Sequence, residues 1–312
     1  MVGANSCWRP GACTPLSIAC RRQETAPTYV CFKLPIITGA KEMAHTAECV
    51  AFVNHKGGTG KTTSCISIAG FLARNGYKTL VVDFDPQANA TSGLGIDGAT
   101  LQYSMYDAIL YQCEGYEGVP ITKVILETDV KNLHLAPSEF DLSVSEIVLQ
   151  RVKERNGVLT LILEEIRDLY DYILVDLPTS SGLLTINGLC ASDQVIIPVD
   201  PSIYSLEALE NLKRTFRDIK RLEGRQISKI TVVLNRYHVE HDVFAKMFQK
   251  RHPAYEVESR LRELFPTVFT VPEAIEIYDA QKKGIPVSHF APKSRVGKAY
   301  QKIAENIIEK TK

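Results

Sequence analysis

The chain has 312 residues, 45% hydrophobic and 23% charged, an ordinary globular composition with ample length to bury a core. Its 36 Lys+Arg balance 36 Asp+Glu, which excludes a uniformly basic, nucleic-acid-gripping surface but not a local basic face. No stretch approaches the roughly 18 consecutive apolar residues of a membrane-spanning helix.

Residues 1–42 stand apart. They hold Pro10, Pro15, Pro27, Pro35, the single Trp8 and four of the eight cysteines, Cys7, Cys13, Cys20 and Cys31, with no sustained helical or strand period. This segment reads as a disordered tail, or as sequence upstream of a start at Met43; a small cysteine-rich module is the alternative. No two cysteines make a C-x-x-C pair, and a long chain with a full core needs no disulfide framework, so the setting reads as reducing and cytoplasmic.

From Met43 onward, strands and helices alternate. Cys49–Asn54 reads as a buried strand running into a glycine-rich turn. Thr62–Asn75 follows as a helix, with Gly76 as its C-terminal stop. Strands are expected at Thr79–Asp83 and, more weakly, Leu133–Ala136, with helical stretches at Leu142–Glu154 and Val158–Leu169. Strand Tyr172–Asp176, helix Leu183–Ala191, strand Gln194–Val199, helix Ser205–Leu222 and strand Ile227–Leu234 come next. A last helix spans about Gly297–Glu309. Short apolar strands alternating with helices define an α/β protein: a mostly parallel β-sheet covered by helices on both faces. One domain, residues 43–312, accounts for all of them.

The chemistry is concentrated after the first strand. In His55-Lys56-Gly57-Gly58-Thr59-Gly60-Lys61-Thr62-Thr63, the end of the phosphate-loop pattern G-x-x-x-x-G-K-[ST] is intact, while His55 occupies the first glycine's place. Gly57, Gly58 and Gly60 let backbone N–H groups curl around phosphate oxygens, and the following helix offers its positive N-terminus. Lys61 suits the β- and γ-phosphates, and the Thr62 hydroxyl suits Mg²⁺. This makes the expected architecture a P-loop NTPase fold.

Lys56–Thr63 resembles the deviant Walker A loop, K-G-G-x-G-K-T-T, of the ParA/MinD ATPases. Asp83–Gly95 (DFDPQANATSGLG) resembles the ParA/Soj branch of that family, Tyr170–Asp176 resembles its Walker B strand, and Ile197–Pro201 followed by Ser205–Leu209 resembles a further ParA segment. The resemblance runs from about Glu48 to the C-terminus. It implies a slow, partner-stimulated ATPase that uses ATP and Mg²⁺ and closes as a nucleotide-sandwich homodimer. Lys56 becomes the signature lysine that reaches the partner protomer's nucleotide. Gly57, Gly58, Thr59, Gly60, Lys61, Thr62 and Thr63 bind phosphate. Asp85 orients the attacking water, with Lys56 and Lys61 as the catalytic cations. Thr62, Asp83 and Asp176 serve Mg²⁺, partly through water. Asn235 matches the adenine-reading position. A strand-end Asp can equally cap a helix, and an Asn after a strand can equally form a turn.

The resemblance also implies partners: a ParB-like protein or cargo adaptor, and nonspecific DNA. Two features bear on DNA. Lys213, Arg214, Arg217, Lys220, Arg221 and Arg225 lie on or just beyond one helix. Gln281–Lys312 carries eight Lys/Arg against two Glu. Against these, Glu273 and Glu276 stand where the family commonly places arginines. Tyr237–Pro266, with His238, His241 and His252, is longer than the family pattern; the His238-x-x-His241 spacing could ligate a metal, but with no further obvious ligand the stretch reads as surface helix. A MinD-like membrane role would need the terminal helix free, but its apolar residues fit a docked face and it lacks Phe, Trp and Leu. An iron-protein-like reductase would need cysteines in glycine-rich loops, where Cys113 and Cys190 do not lie.

Overall fold

A computed structural model describes residues 46–202, 204–227, 229–237 and 253–311. The readings for residues 1–42 and for His238, His241 and His252 lie outside the described residues.

Eight strands form one sheet: β1 (Glu48–Phe52), β2 (Thr79–Asp83), β3 (Leu126–Glu127), β4 (Leu133–Ala136), β5 (Tyr172–Asp176), β6 (Gln194–Val199), β7 (Lys229–Tyr237) and β8 (Val268–Pro272). Their order is β3-β4-β2-β5-β1-β6-β7-β8. Every neighbouring pair is parallel except β3 with β4. β2, β5 and β6 are buried along their whole length and apolar through their middles because both faces are covered.

Side-chain alternation along the strands divides the core in two. Cys49, Ala51, Leu80, Val82, Ile173, Val175, Val195 and Ile197 face one layer. Beneath it lie α3 (Met105–Tyr111), α4 (Ile121–Val124), α5 (Ser145–Leu149), α6 (Val158–Glu164), α7 (Leu183–Ala191), α8 (Tyr204–Glu223) and α9 (Pro253–Leu264). Val50, Phe52, Val81, Leu174, Ile196 and Val233 face the other. That layer holds α1 (Lys61–Arg74), α2 (Asn89–Gly93), α10 (Ile275–Lys282), α11 (Val287–Phe290) and α12 (Arg295–Thr311).

The expected strands and the expected helices outside 142–169 are present, with ends displaced by at most three residues. The stretch 142–154 differs most. It forms a short 3₁₀ turn at Phe140–Ser143 and then only α5. The second stretch, Val158–Leu169, is helical as α6 only to Glu164, then makes a 3₁₀ turn at Arg167–Leu169.

Two strand registers position the chemistry. β5 sits between β2 and β1, with Asp83 opposite Asp176 and Phe52 opposite Asp176. Neighbouring parallel strands run about 4.8 Å apart, so register alone sets the two strand-end acids side by side, next to the loop that leaves β1. β6 flanks β1 on its other side, and the crevice beyond the strands' carboxyl ends is where such sheets bind ligands.

A phosphate loop over buried carboxylates

The loop between β1 and α1 has the backbone a phosphate cradle needs. Gly58 and Gly60 have φ of 73° and 88°, in the left-handed region, and α1 begins directly after Gly60 without a side-chain cap or an acidic first turn. Its first N–H groups therefore remain available to an anion. Gly60 has a second constraint: a Cβ there would lie 2.7 Å from the Asn235 amide nitrogen.

Asn235, at the end of β7, fastens this loop. Its Nδ2 donates to the Thr59 carbonyl at 2.8 Å and to Ser64 Oγ at 3.2 Å, while its Oδ1 accepts from the Tyr300 hydroxyl at 3.3 Å. Both amide hydrogens and the oxygen are thus engaged within the protein. In this arrangement only the second lone pair of Asn235 Oδ1 is left for an adenine edge.

Under the loop lies a carboxylate group. Asp83, Asp85 and Asp176 are buried, as is Lys61. Burial, and then the neighbouring Asp83 carboxylate, hold the Asp176 acid well above its usual range, with Lys61 and the Thr62 hydroxyl pulling the other way. Burial lowers the Lys61 ammonium, opposed by Asp176 and Asp85. Neither oxygen of Asp176 makes a well-formed hydrogen bond, the nearby Thr62 hydroxyl doing no more than lower its pKa. A buried acid so poorly bonded is costly.

Asp83 is different. One oxygen accepts from the Thr91 amide at 2.7 Å and its hydroxyl at 2.8 Å, the other from the Asp85 amide at 3.3 Å. Burial still pushes its pKa up to about 6 against those bonds. Asp83 therefore ties β2 to α2. The Asp85 carboxylate accepts from the Gln87 amide at 3.0 Å, and its carbonyl accepts from Ser138 Oγ at 2.8 Å, fixing the acid beside the loop.

Lys56 and Thr63 lie at the rim. The Lys56 ammonium donates to Asp200 Oδ2 at 2.6 Å and to Ser202 Oγ at 2.8 Å. Thr63 Oγ1 accepts from Gln281 Nε2 at 3.0 Å, linking the loop to α10. His55, in the first glycine's place, has Nδ1 3.1 Å from Ser181 Oγ, and burial lowers its pKa. Among the described residues no group of three or more His, Cys, Asp or Glu forms a metal cage. The donor set suits a hard cation held by Thr62, phosphate oxygens and water, with Asp176 behind them, which is how Mg²⁺ is usually bound.

An AAA domain family model matches residues 47–229. The chain is 34% identical over 263 residues to the chromosome-partitioning ATPase Soj of Treponema pallidum (strain Nichols), covering 83% of this chain and 96% of that protein. It is also 34% identical over 259 residues to the sporulation initiation inhibitor protein Soj of Bacillus subtilis (strain 168), covering 83% and 97%. The chain belongs to the ParA/MinD family of P-loop ATPases. The solved structure of a Cyanothece McdA variant in complex with ATP shares the fold, with a TM-score of 0.72 at 20% identity over 85% of this chain and 97% of that one.

Within this ParA/MinD frame, several residues of the site escaped sequence reasoning. Ser138, Gln281 and Tyr300 hold the phosphate loop and its acids but carry no local motif, while Thr91 and Asp200 lie inside the family segments, with Ser202 just beyond, and their pattern alone assigns them no role. Other expectations meet the structure directly. The terminal helix α12 is docked, with Val296, Tyr300, Ile303, Ala304 and Ile307 buried against α1 and the sheet. No helix among the described residues is long and apolar enough to cross a membrane. Cys113 and Cys190 are buried, with thiol pKa values raised by burial. On α8, Lys213 pairs with Glu210 and Arg221 with Asp218, both within the helix surface. Glu273 is exposed and Glu276 half-buried.

Proposed function

We propose that this chain is a ParA-type ATPase that hydrolyses ATP to ADP and phosphate within a nucleotide-sandwich homodimer and thereby positions chromosomes, plasmids or other cargo. The observation that carries the reading is the left-handed glycine loop beside the buried Lys61 and the buried Asp176, whose oxygens lack well-formed hydrogen bonds. A buried acid so poorly bonded is tolerated where a bound cation is to neutralise it.

In this reading the amides of Gly57, Gly58 and Gly60, with the start of α1, donate to the phosphate oxygens. Lys61 places its ammonium among them, and the Thr62 and Thr63 hydroxyls add further polar groups. Mg²⁺, when bound, would supply charge neutralisation for the phosphates; Thr62 would hold it, with Asp176 and Asp83 supporting it partly through water. Asp85 accepts a hydrogen bond from the attacking water and aims it at the γ-phosphorus. Lys56 of one protomer reaches the partner's nucleotide and neutralises charge that develops in transfer. Positioning and charge neutralisation carry the catalysis.

The 34% identity to proteins named Soj supports a partitioning role, and with it a cytoplasmic location and a ParB-like or adaptor partner. Docking of α12 favours this role over a MinD-like membrane anchor. Nonspecific DNA remains part of the proposal through Arg214, Lys220 and the C-terminal lysines. Glu273 and Glu276 argue for a footprint displaced from the family's arginines. The test is ATP turnover and sedimentation of wild type and Lys56→Ala, with ATP-dependent, salt-sensitive binding to random duplex DNA. Lys56→Ala is expected to bind nucleotide yet lose the dimer or turnover. An unchanged dimer and rate in that variant would refute the cross-subunit role.

A further inference from the structure

Beyond the site's acids, the most completely built polar cluster is the one that holds Lys56. β6 runs parallel to β1, so the segment leaving β6 lies beside the phosphate loop leaving β1. Asn54 bridges the two: its Nδ2 donates to the Pro198 carbonyl at 2.7 Å, and its Oδ1 accepts from the Lys56 amide at 2.9 Å. The backbone of Lys56 is thereby set against the end of β6. Its side chain then continues the contact, with Nζ 2.6 Å from Asp200 Oδ2 and 2.8 Å from Ser202 Oγ.

Asp200 is itself anchored. Its other oxygen accepts from Ser202 at 3.2 Å and from Ser205, the latter in the first turn of α8. Partial burial raises the Asp200 acid, but the hydrogen bonds from Lys56 and Ser205 and the charge of Lys56 outweigh it and hold the carboxylate below its usual range. The lysine side chain is 31% exposed and the aspartate 20%. An ammonium has three donors, and two of them are bound within its own protomer.

Resting on the reading of Lys56 as the cross-subunit lysine, we propose that Asp200, with Ser202, is a positioning residue that parks Lys56 within its own protomer. Closure of the nucleotide-bound dimer must then pull the lysine off this carboxylate. A lysine cannot sit on Asp200 and on a partner's nucleotide together, because the ion pair takes its charge and two of its donors. Asp200 therefore sets the protein concentration at which ATP drives pairing. A partly exposed ion pair of this kind is worth about threefold in an equilibrium. Two such pairs open per dimer, so their loss lowers the half-dimerisation concentration about tenfold.

Two readouts test this on the full chain. The first is lysine acylation of the nucleotide-free protein by acetic anhydride, read at Lys56 by mass spectrometry. The second is sedimentation across protein concentrations with Mg²⁺ and a non-hydrolysable ATP analogue. Asp200→Asn keeps the side-chain shape and removes the charge. It is expected to raise Lys56 acylation several-fold and lower the half-dimerisation concentration about tenfold. Ser202→Ala removes one of the two bonds and is expected to move both readouts the same way by less, which keeps the test available if Asp200→Asn folds poorly. Ser205→Ala breaks a bond to Asp200 without touching Lys56 and separates a merely structural role, because it should leave acylation within about twofold of wild type. Unchanged acylation in both Asp200→Asn and Ser202→Ala overturns the parking site. Raised acylation with an unchanged concentration threshold overturns its control of pairing. A wild type that never pairs with the analogue overturns the dimer reading itself, and the acylation data then stand apart from it.

Discussion

Replacing Asn235 by Ala separates two roles for that side chain, fastening the loop or reading the base. The residue is 5% exposed and makes three hydrogen bonds: 2.8 Å to the Thr59 carbonyl, 3.2 Å to Ser64 Oγ and 3.3 Å from the Tyr300 hydroxyl. Each buried neutral bond is worth about 1 kcal/mol net. Ser64 Oγ and the Tyr300 hydroxyl stand 3.4 Å apart and can still serve each other after the change. The Thr59 carbonyl loses its Asn235 donor. The loss is therefore about 2–3 kcal/mol, or roughly 5–10 °C in the melting temperature of a domain this size. Thermal unfolding without nucleotide measures it. Because the loop is loosened rather than the base contact removed, affinities for ATP and GTP should fall together, as read by competition with a fluorescent nucleotide. A nucleotide-free melting temperature within about 1 °C of wild type, with a loss of affinity confined to ATP, would sink the fastening role and support the adenine assignment.

Asp176→Asn should stabilise the nucleotide-free protein at pH 7.5 by roughly 1–3 kcal/mol in urea unfolding, because neither oxygen makes a well-formed hydrogen bond and burial disfavours the charge. Its folded pKa is raised, so the penalty on the wild type builds as pH rises above the unfolded pKa of about 4, and the variant's advantage should shrink as pH falls through that value and vanish at about 3, where the wild-type acid is protonated folded and unfolded alike. Asp83, at about 6, carries the same sign, with native stability falling as pH rises from about 4 to about 6. An advantage that persists undiminished at pH 4 would contradict this. Asp85→Ala is expected to bind ATP and pair but turn over at least about a hundredfold more slowly, the scale of a lost positioning group; wild-type phosphate release would refute it. Gly284→Ala should cost about 2–4 kcal/mol, since a Cβ there, at φ 65°, would fall 2.5 Å from the Gly95 Cα. Chemical denaturation unchanged to within about 0.5 kcal/mol would show that the two backbones separate freely.

The boundary between what the sequence discloses and what it hides follows the range of the interactions. β1, β2, β5 and β6 are legible because a central parallel strand must be apolar on both faces, and the glycines of the loop are legible because only they take its positive φ cheaply. β8 and the short helices α10 and α11 are not. Val268–Pro272 is a short edge strand, mostly half-buried and ending in proline, so its pattern is weak. The site divides the same way. Lys61, Thr62, Asp83, Asp85 and Asp176 announce themselves at strand ends and loop positions. Asp83's engagement with Thr91 and Asn235's with Thr59 depend on side-chain directions that no spacing reveals. Lys56 is the sharpest case: its motif says what it is for, while its present partner stands 144 residues later in the chain. That partner is brought near by β1 lying beside β6, a pairing set by the whole sheet. A motif thus names the groups that chemistry requires, and the long-range register decides which of them are free to perform it. For this ATPase the second question reduces to whether Lys56 can leave Asp200.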